Sequence, residues 1–167
     1  LLHHWVMVAE ASGQPFDRSG LEARDGSWLY DTELPAIAVT AMREMRPDAA
    51  LRFFFAVQEA FYAHGIDITK PEAYPSLVEP FNVDPADFAA QQADTESRRR
   101  AWDDFSEARR LGATGYPTTL LAIDGRYRML SAGYRPFAEV DQILHAALER
   151  LAPAVVAGAT CSLDGAC

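Results

Sequence analysis

Two side chains in the 167-residue sequence carry a thiol, Cys161 and Cys167, and both fall in the closing stretch ATCSLDGAC. Their chemistry would be a reversible disulfide, a resolving thiol, or part of a soft-metal site, although two thiolates are too few for a structural zinc without other ligands. The competing reading is that they are incidental tail residues, since no predicted helix N-terminus acidifies either one. The histidines offer less. His3 and His4 are adjacent, so on a helix they point about 100° apart and form no i, i+4 chelating pair. His64 precedes Gly65 at a predicted helix end, and His145 sits in mid-helix with no visible partner. No metal or cofactor is expected.

A different kind of site is marked by Tyr116-Pro117-Thr118, inside LGATGYPTTLLAIDGRYRMLSAG at residues 111–133. Proline brings no N–H to a sheet ladder, so at the head of a strand it marks a position where the chain turns or stays unpaired. The plain alternative is a strand-initiating trans proline. The Tyr116 ring either packs in a core or lines a groove, and Thr118 reads first as a β-branched strand residue.

The elements that must hold these residues are helical for the first two thirds of the chain. Trp5 and Val8 keep helical spacing from the first residues onward. The chain therefore reads as beginning inside a helix, with further encoded residues expected before Leu1. Asp31 or Thr32 caps a helix carrying Pro35 in its first turn and a stripe of Leu34, Ile37, Ala38, Ala41 and Met42. Asp48 is expected to cap the next helix, with Leu51, Phe54, Phe55, Phe61 and Tyr62 on one side and Phe53 and Val57 widening it. Thr69 with Glu72 suggests a capping box, before a helix that Pro75 and Pro80 keep short. Asp84-Pro85 starts another helical turn. A stripe of Ala101, Trp102, Phe105 and Ala108 then runs to Gly112, with Arg98, Arg99 and Arg100 read as a solvated face.

At Pro117 the pattern changes. Residues 118–123 and 126–132 read as strands joined by Asp124-Gly125, a strong hairpin signal. A last helix carries Phe137, Val140, Ile143, Leu144, Ala147, Leu148 and Leu151 as a core-facing stripe. Two strands do not make an independently stable sheet, so more strands are expected beside them, and a strand–helix–strand unit takes roughly 30 residues.

With 49% hydrophobic residues the chain is long enough for one compact domain, or a domain carrying an insertion. The formal charge of −9 works against nucleic acid and against anionic membrane surfaces. No apolar run approaches the roughly 18 residues that a spanning helix requires. A soluble protein is expected.

The order of helical segment, Gly-Tyr-Pro-Thr, hairpin and terminal helix resembles the second half of a thioredoxin-like fold. Together LGATGYPTTLL (111–121), LYDTELPAIAV (29–39), FYAHGIDIT (61–69) and HHWVMVAEASGQPF (3–16) resemble DsbA-like proteins, closest to the FrnE-like cytoplasmic branch. The resemblance implies an α/β, thioredoxin-like (DsbA-type) fold with a large helical insertion, divided as 1–111 (helical insertion), 112–151 (C-terminal half of the thioredoxin-like domain) and 152–167 (flexible tail). It also implies a cis bond at Pro117 and a thiol–disulfide oxidoreductase or isomerase whose substrate docks at Tyr116, Pro117 and Thr118. The partner would be a protein or small-molecule thiol or disulfide, glutathione included, in the cytoplasm. The departure is large, because the redox Cys-x-x-Cys is nowhere in residues 1–160. It is therefore expected upstream. Two further classes stay open: a glutathione-dependent isomerase or transferase of the 2-hydroxychromene-2-carboxylate isomerase or kappa type, and a non-catalytic binding module.

Overall fold

The computed structural model describes residues 2–150, and Cys161, Cys167 and the expected tail lie outside them. The chain forms two compact units, Leu1–Ala108 and Arg109–Cys167.

The first unit is helical. Helix α1 (Leu2–Ser12) and the short α2 (Arg18–Glu22) precede α3 (Glu33–Met45) and α4 (Ala50–Tyr62). Helix α5 is a single turn (Pro75–Val78) between two 3₁₀ turns, the shortness that Pro75 and Pro80 impose. Helices α6 (Pro85–Ala93) and α7 (Thr95–Arg110) follow. Their core gathers Trp5, Phe53, Phe61, Tyr74, Val78 and Phe88 around α3 and α4.

Local chemistry explains the ends of these helices, with two corrections. The Asp31 carboxylate accepts the Glu33 N–H at 2.8 Å and starts α3. The Asp84 carboxylate accepts from Ala86 and Asp87 at 2.8 and 3.1 Å and starts α6, with Pro85 in its first position. Asp48, by contrast, does not cap α4; its carboxylate is taken by the Arg46 guanidinium at 3.1 Å, and α4 begins at Ala50 without a side-chain cap. Thr69 forms no capping box with Glu72 either. Its hydroxyl donates at 2.6 Å to Asp67, a carboxylate that also pairs with Arg24 at 2.8 Å and accepts from the Trp28 indole at 3.2 Å.

The inward side of α4 also differs from expectation. Phe53, Val57, Ala60 and Phe61 are buried, while Leu51 and Phe55 are 65% and 56% exposed. Where α4 ends, Gly65 meets Gly20 of α2. A Cβ added at Gly20 would lie 2.4 Å from the Gly65 Cα, and Gly65 itself holds φ +64°, so both positions exclude a side chain.

Helix α7 is tied to α3 by polar side chains. Ser97 and Ala101 are its buried residues, and side chains of α7 reach opposite ends of α3. Arg98 and the Trp102 indole bind Glu33 at 3.3 and 2.9 Å, while Arg100 pairs with Glu44 and Asp104 pairs with Arg43 at 2.9 Å. Arg98 to Arg100 are thus an ion-paired strap rather than a merely solvated face, and Trp102 is nearly half exposed rather than core.

The second unit is a hairpin and a helix. Strands β1 (Thr118–Ile123) and β2 (Arg126–Ala132) pair antiparallel from Thr118↔Ala132 to Ile123↔Arg126, with an irregularity between Thr119 and Leu120. Asp124 and Gly125 take φ +49° and +71°, as a two-residue hairpin turn of this hand requires. In α8 (Phe137–Glu149) only Ala147 is buried, and Phe137 is 82% exposed. The core-facing stripe expected there is not closed over, because a two-stranded ribbon offers too little surface to cover it.

Candidate functional site

The Tyr116-Pro117-Thr118 segment is built by what stands on either side of it. Helix α7 ends where Gly112, at φ +87°, turns the chain and returns its N–H to the Arg109 carbonyl at 3.0 Å. The Tyr116–Pro117 peptide bond is cis. Beyond it Thr118 opens β1, and its hydroxyl reaches back to donate to the Gly115 carbonyl at 2.6 Å. From the far strand the Gly133 N–H donates to the Pro117 carbonyl at 2.8 Å, a reach that its φ of +84° allows. The segment is therefore latched from two sides around Tyr116.

Tyr116 itself is not latched. Among the described residues its N–H and C=O make no backbone hydrogen bond, and the residue is 75% exposed. Of the two readings left open for that ring, the buried one does not hold within the described residues. Among the described residues strand β1 pairs with β2 along one edge only. What this arrangement offers chemically is main-chain recognition: an exposed donor and acceptor beside an open strand edge, where an extended peptide can add as a further strand. The latching role of Thr118 escaped sequence reasoning, because a threonine at a strand head is ordinary and only its 2.6 Å contact marks it.

The other candidates separate from this segment. Among the described residues there is no thiol, and no group of three or more His, Cys, Asp and Glu side chains is placed to hold a metal. His145 has a partner after all, the Asp141 carbonyl at 2.9 Å, and His64 stands 3.8 Å from the exposed Glu59 carboxylate. No helix among the described residues is long and apolar enough to cross a membrane.

A second concavity lies wholly within the helical unit, between α3, α4 and α7. It encloses about 340 Å³, and Tyr30, Phe54, Phe61, Tyr62 and Phe105 line it. Sequence reasoning missed it, since Tyr30 stands in a loop and Phe54 reads as one more aromatic of α4.

The sequence matches no family model and no curated protein. Solved structures do match. A candidate protein disulfide isomerase from Nitrosomonas europaea is 26% identical, with a TM-score of 0.82 over 89% of this chain and 72% of that one. The cytosolic disulfide reductase DsbM from Pseudomonas aeruginosa is 27% identical, with a TM-score of 0.70 over 89% and 73% of the two chains. The same reductase solved with GSH gives 25% identity and a TM-score of 0.68 over the same shares. The architecture common to all three is DsbA-like, a thioredoxin-type fold rich in helices, and thiol–disulfide oxidoreduction is the activity class that goes with it.

Proposed function

We propose that this chain, DsbA-like in fold and a thiol–disulfide oxidoreductase in class, supplies the docking half of the reaction. Substrate main chain pairs with Tyr116, while the nucleophilic Cys-x-x-Cys lies in sequence encoded before Leu1. The observation that carries this reading is the Tyr116 backbone, without a backbone hydrogen bond among the described residues in an exposed residue beside the latched Pro117 and Thr118. A substrate disulfide held there would be attacked by the upstream thiolate. A mixed disulfide forms, and the other substrate sulfur leaves as a thiolate. The absence of any cysteine from residues 1–160 is in keeping with a nucleophile supplied from outside them.

Glutathione, the ligand of one structural neighbour, is a fitting small thiol partner, and a cytoplasmic location is in keeping with the cytosolic neighbour. The FrnE-like branch and the reading of residues 1–111 as a helical insertion belong to the same proposal.

The test is insulin reduction by the contiguous gene product with Tyr116→Pro and Tyr116→Ala. Tyr116→Pro deletes the main-chain donor at a position already restricted to extended conformations by the following proline. It should lower turnover roughly tenfold, the equivalent of about one hydrogen bond. Tyr116→Ala, which keeps both backbone groups, should retain most of the activity. Equal losses in both variants would reject main-chain docking. A serine in place of the first upstream cysteine would reject disulfide exchange in favour of glutathione-dependent isomerisation or transfer.

A further inference from the structure

The cleft between α3, α4 and α7 takes no part in the redox reading, and its walls are those of a small-ligand site. Its volume of about 340 Å³ falls at the lower end for such sites. One wall is held in place from behind: the Tyr30 ring stacks on Phe61, centroids 5.3 Å apart and planes 12° apart, and its hydroxyl meets that of Tyr62 at 3.1 Å. One O–H is spent between those two oxygens, which leaves the other to donate to an acceptor. Burial, followed by the Tyr62 contact, pushes the Tyr30 hydroxyl well above its ordinary pKa, so it stays a neutral donor. Phe54 and Phe105 supply further apolar wall, and Thr32, Thr40, Gln58 and Asp104 are the polar lining residues. Asp104 is the one ionisable acid among these, no Lys, Arg or His lines the cleft, and Arg43, the ion-pair partner of Asp104, is not among the lining residues.

We propose that this cleft binds a planar aromatic small molecule, neutral or cationic, that carries a hydrogen-bond acceptor for the Tyr30–Tyr62 hydroxyl pair. The aromatic lining suits ring stacking and edge contacts, the volume admits a fused or linked pair of rings, and the Asp104 carboxylate disfavours an anion. The proposal stands apart from disulfide exchange.

Two naphthalene dyes that differ in charge test it: neutral 6-propionyl-2-(dimethylamino)naphthalene, whose carbonyl is an acceptor for the hydroxyl pair, and anionic 1-anilinonaphthalene-8-sulfonate, each titrated by fluorescence into the contiguous gene product. The neutral dye should saturate one site and bind roughly tenfold more tightly than the sulfonate, a modest share of the repulsion between like charges near a protein surface. Val39→Trp, which fills the cleft from α3, should weaken the neutral dye at least about tenfold. Ala36→Leu replaces it if circular dichroism shows Val39→Trp unfolded. Asp104→Asn should narrow the gap between the dyes, and Phe55→Ser, on the outer side of α4, should change neither. Absence of saturable binding overturns the proposal, as does wild-type affinity in the filled variant, loss of binding in Phe55→Ser, or an unchanged gap in Asp104→Asn. Concentration-dependent dimerisation that Val39→Trp abolishes, without dye binding, overturns it too and makes the cleft a contact between copies.

Discussion

In the helical unit Phe53, Phe61, Tyr74 and Phe88 are no more than 1% exposed and belong to one core. In the hairpin unit Tyr116, Tyr127, Met129 and Phe137 all stand open among the described residues. Both units are rich in apolar side chains; what differs is the surface available to cover them. Helices pack on several sides, so α3 and α4 are enclosed by their own neighbours, whereas two strands and one helix have a single interface to share. The helical unit thus encloses its own apolar residues, and the hairpin unit leaves several of its own open among the described residues. On the proposed reading, stability and docking are written into different parts of the chain.

Paired substitutions test this contrast directly. Phe53→Ala should cost about 3–5 kcal/mol in urea denaturation, the usual loss for a fully buried phenylalanine, while Phe137→Ala should stay within about 0.5 kcal/mol, as exposed positions do. Comparable losses would erase the distinction. Thr118→Val should have a smaller and local effect. It removes the hydroxyl that donates to Gly115, a contact worth about 0.5–1.5 kcal/mol, and should quicken hydrogen exchange at the Gly133 amide with no change in the helical unit.

The smallest effect is expected from acid. Hydrogen bonds from Arg99 and then Arg100 lower the Glu96 carboxyl from 4.5 to about 2. Because the folded value is the depressed one, its contribution is present above pH 4.5 and is lost as pH falls toward 2. Glu96 is a surface group, so the urea midpoint should fall only slightly over that window, less in high salt and less again in Glu96→Gln. A large acid-induced drop that survives Glu96→Gln would move the effect to another carboxylate of the strap between α3 and α7.

The hairpin was legible in the sequence nearly residue for residue, because its signals are local. Asp124-Gly125 must turn, and the strands on either side must pair from that turn outward. The starts of α3 and α6 were legible for the same reason. The inward face of α4 was not. With apolar residues at 51, 53, 54, 55, 57, 61 and 62, periodicity admits more than one buried side, and only packing against Trp5, Met42 and Phe88 selects Phe53, Val57 and Phe61. Asp48 and Thr69 have the right residue types for caps, but a nearby guanidinium and a nearby carboxylate claimed them first. The partners of Arg98 and Arg100 on α3 lie 65 and 56 residues away, beyond any spacing rule. At the candidate site, Pro117 announced itself through its missing N–H, and the unbonded backbone of Tyr116 was expected with the bend there, whereas the Thr118 contact to Gly115 required coordinates to be seen.

The meeting of Gly20 and Gly65 carries an instruction of its own, because there the chain works by lacking atoms. A saturation library would return these two columns almost blank, although neither residue has a side chain to contribute. Such blanks are easily mistaken for a reaction centre. Here they would record only how closely one stretch of main chain lies against another.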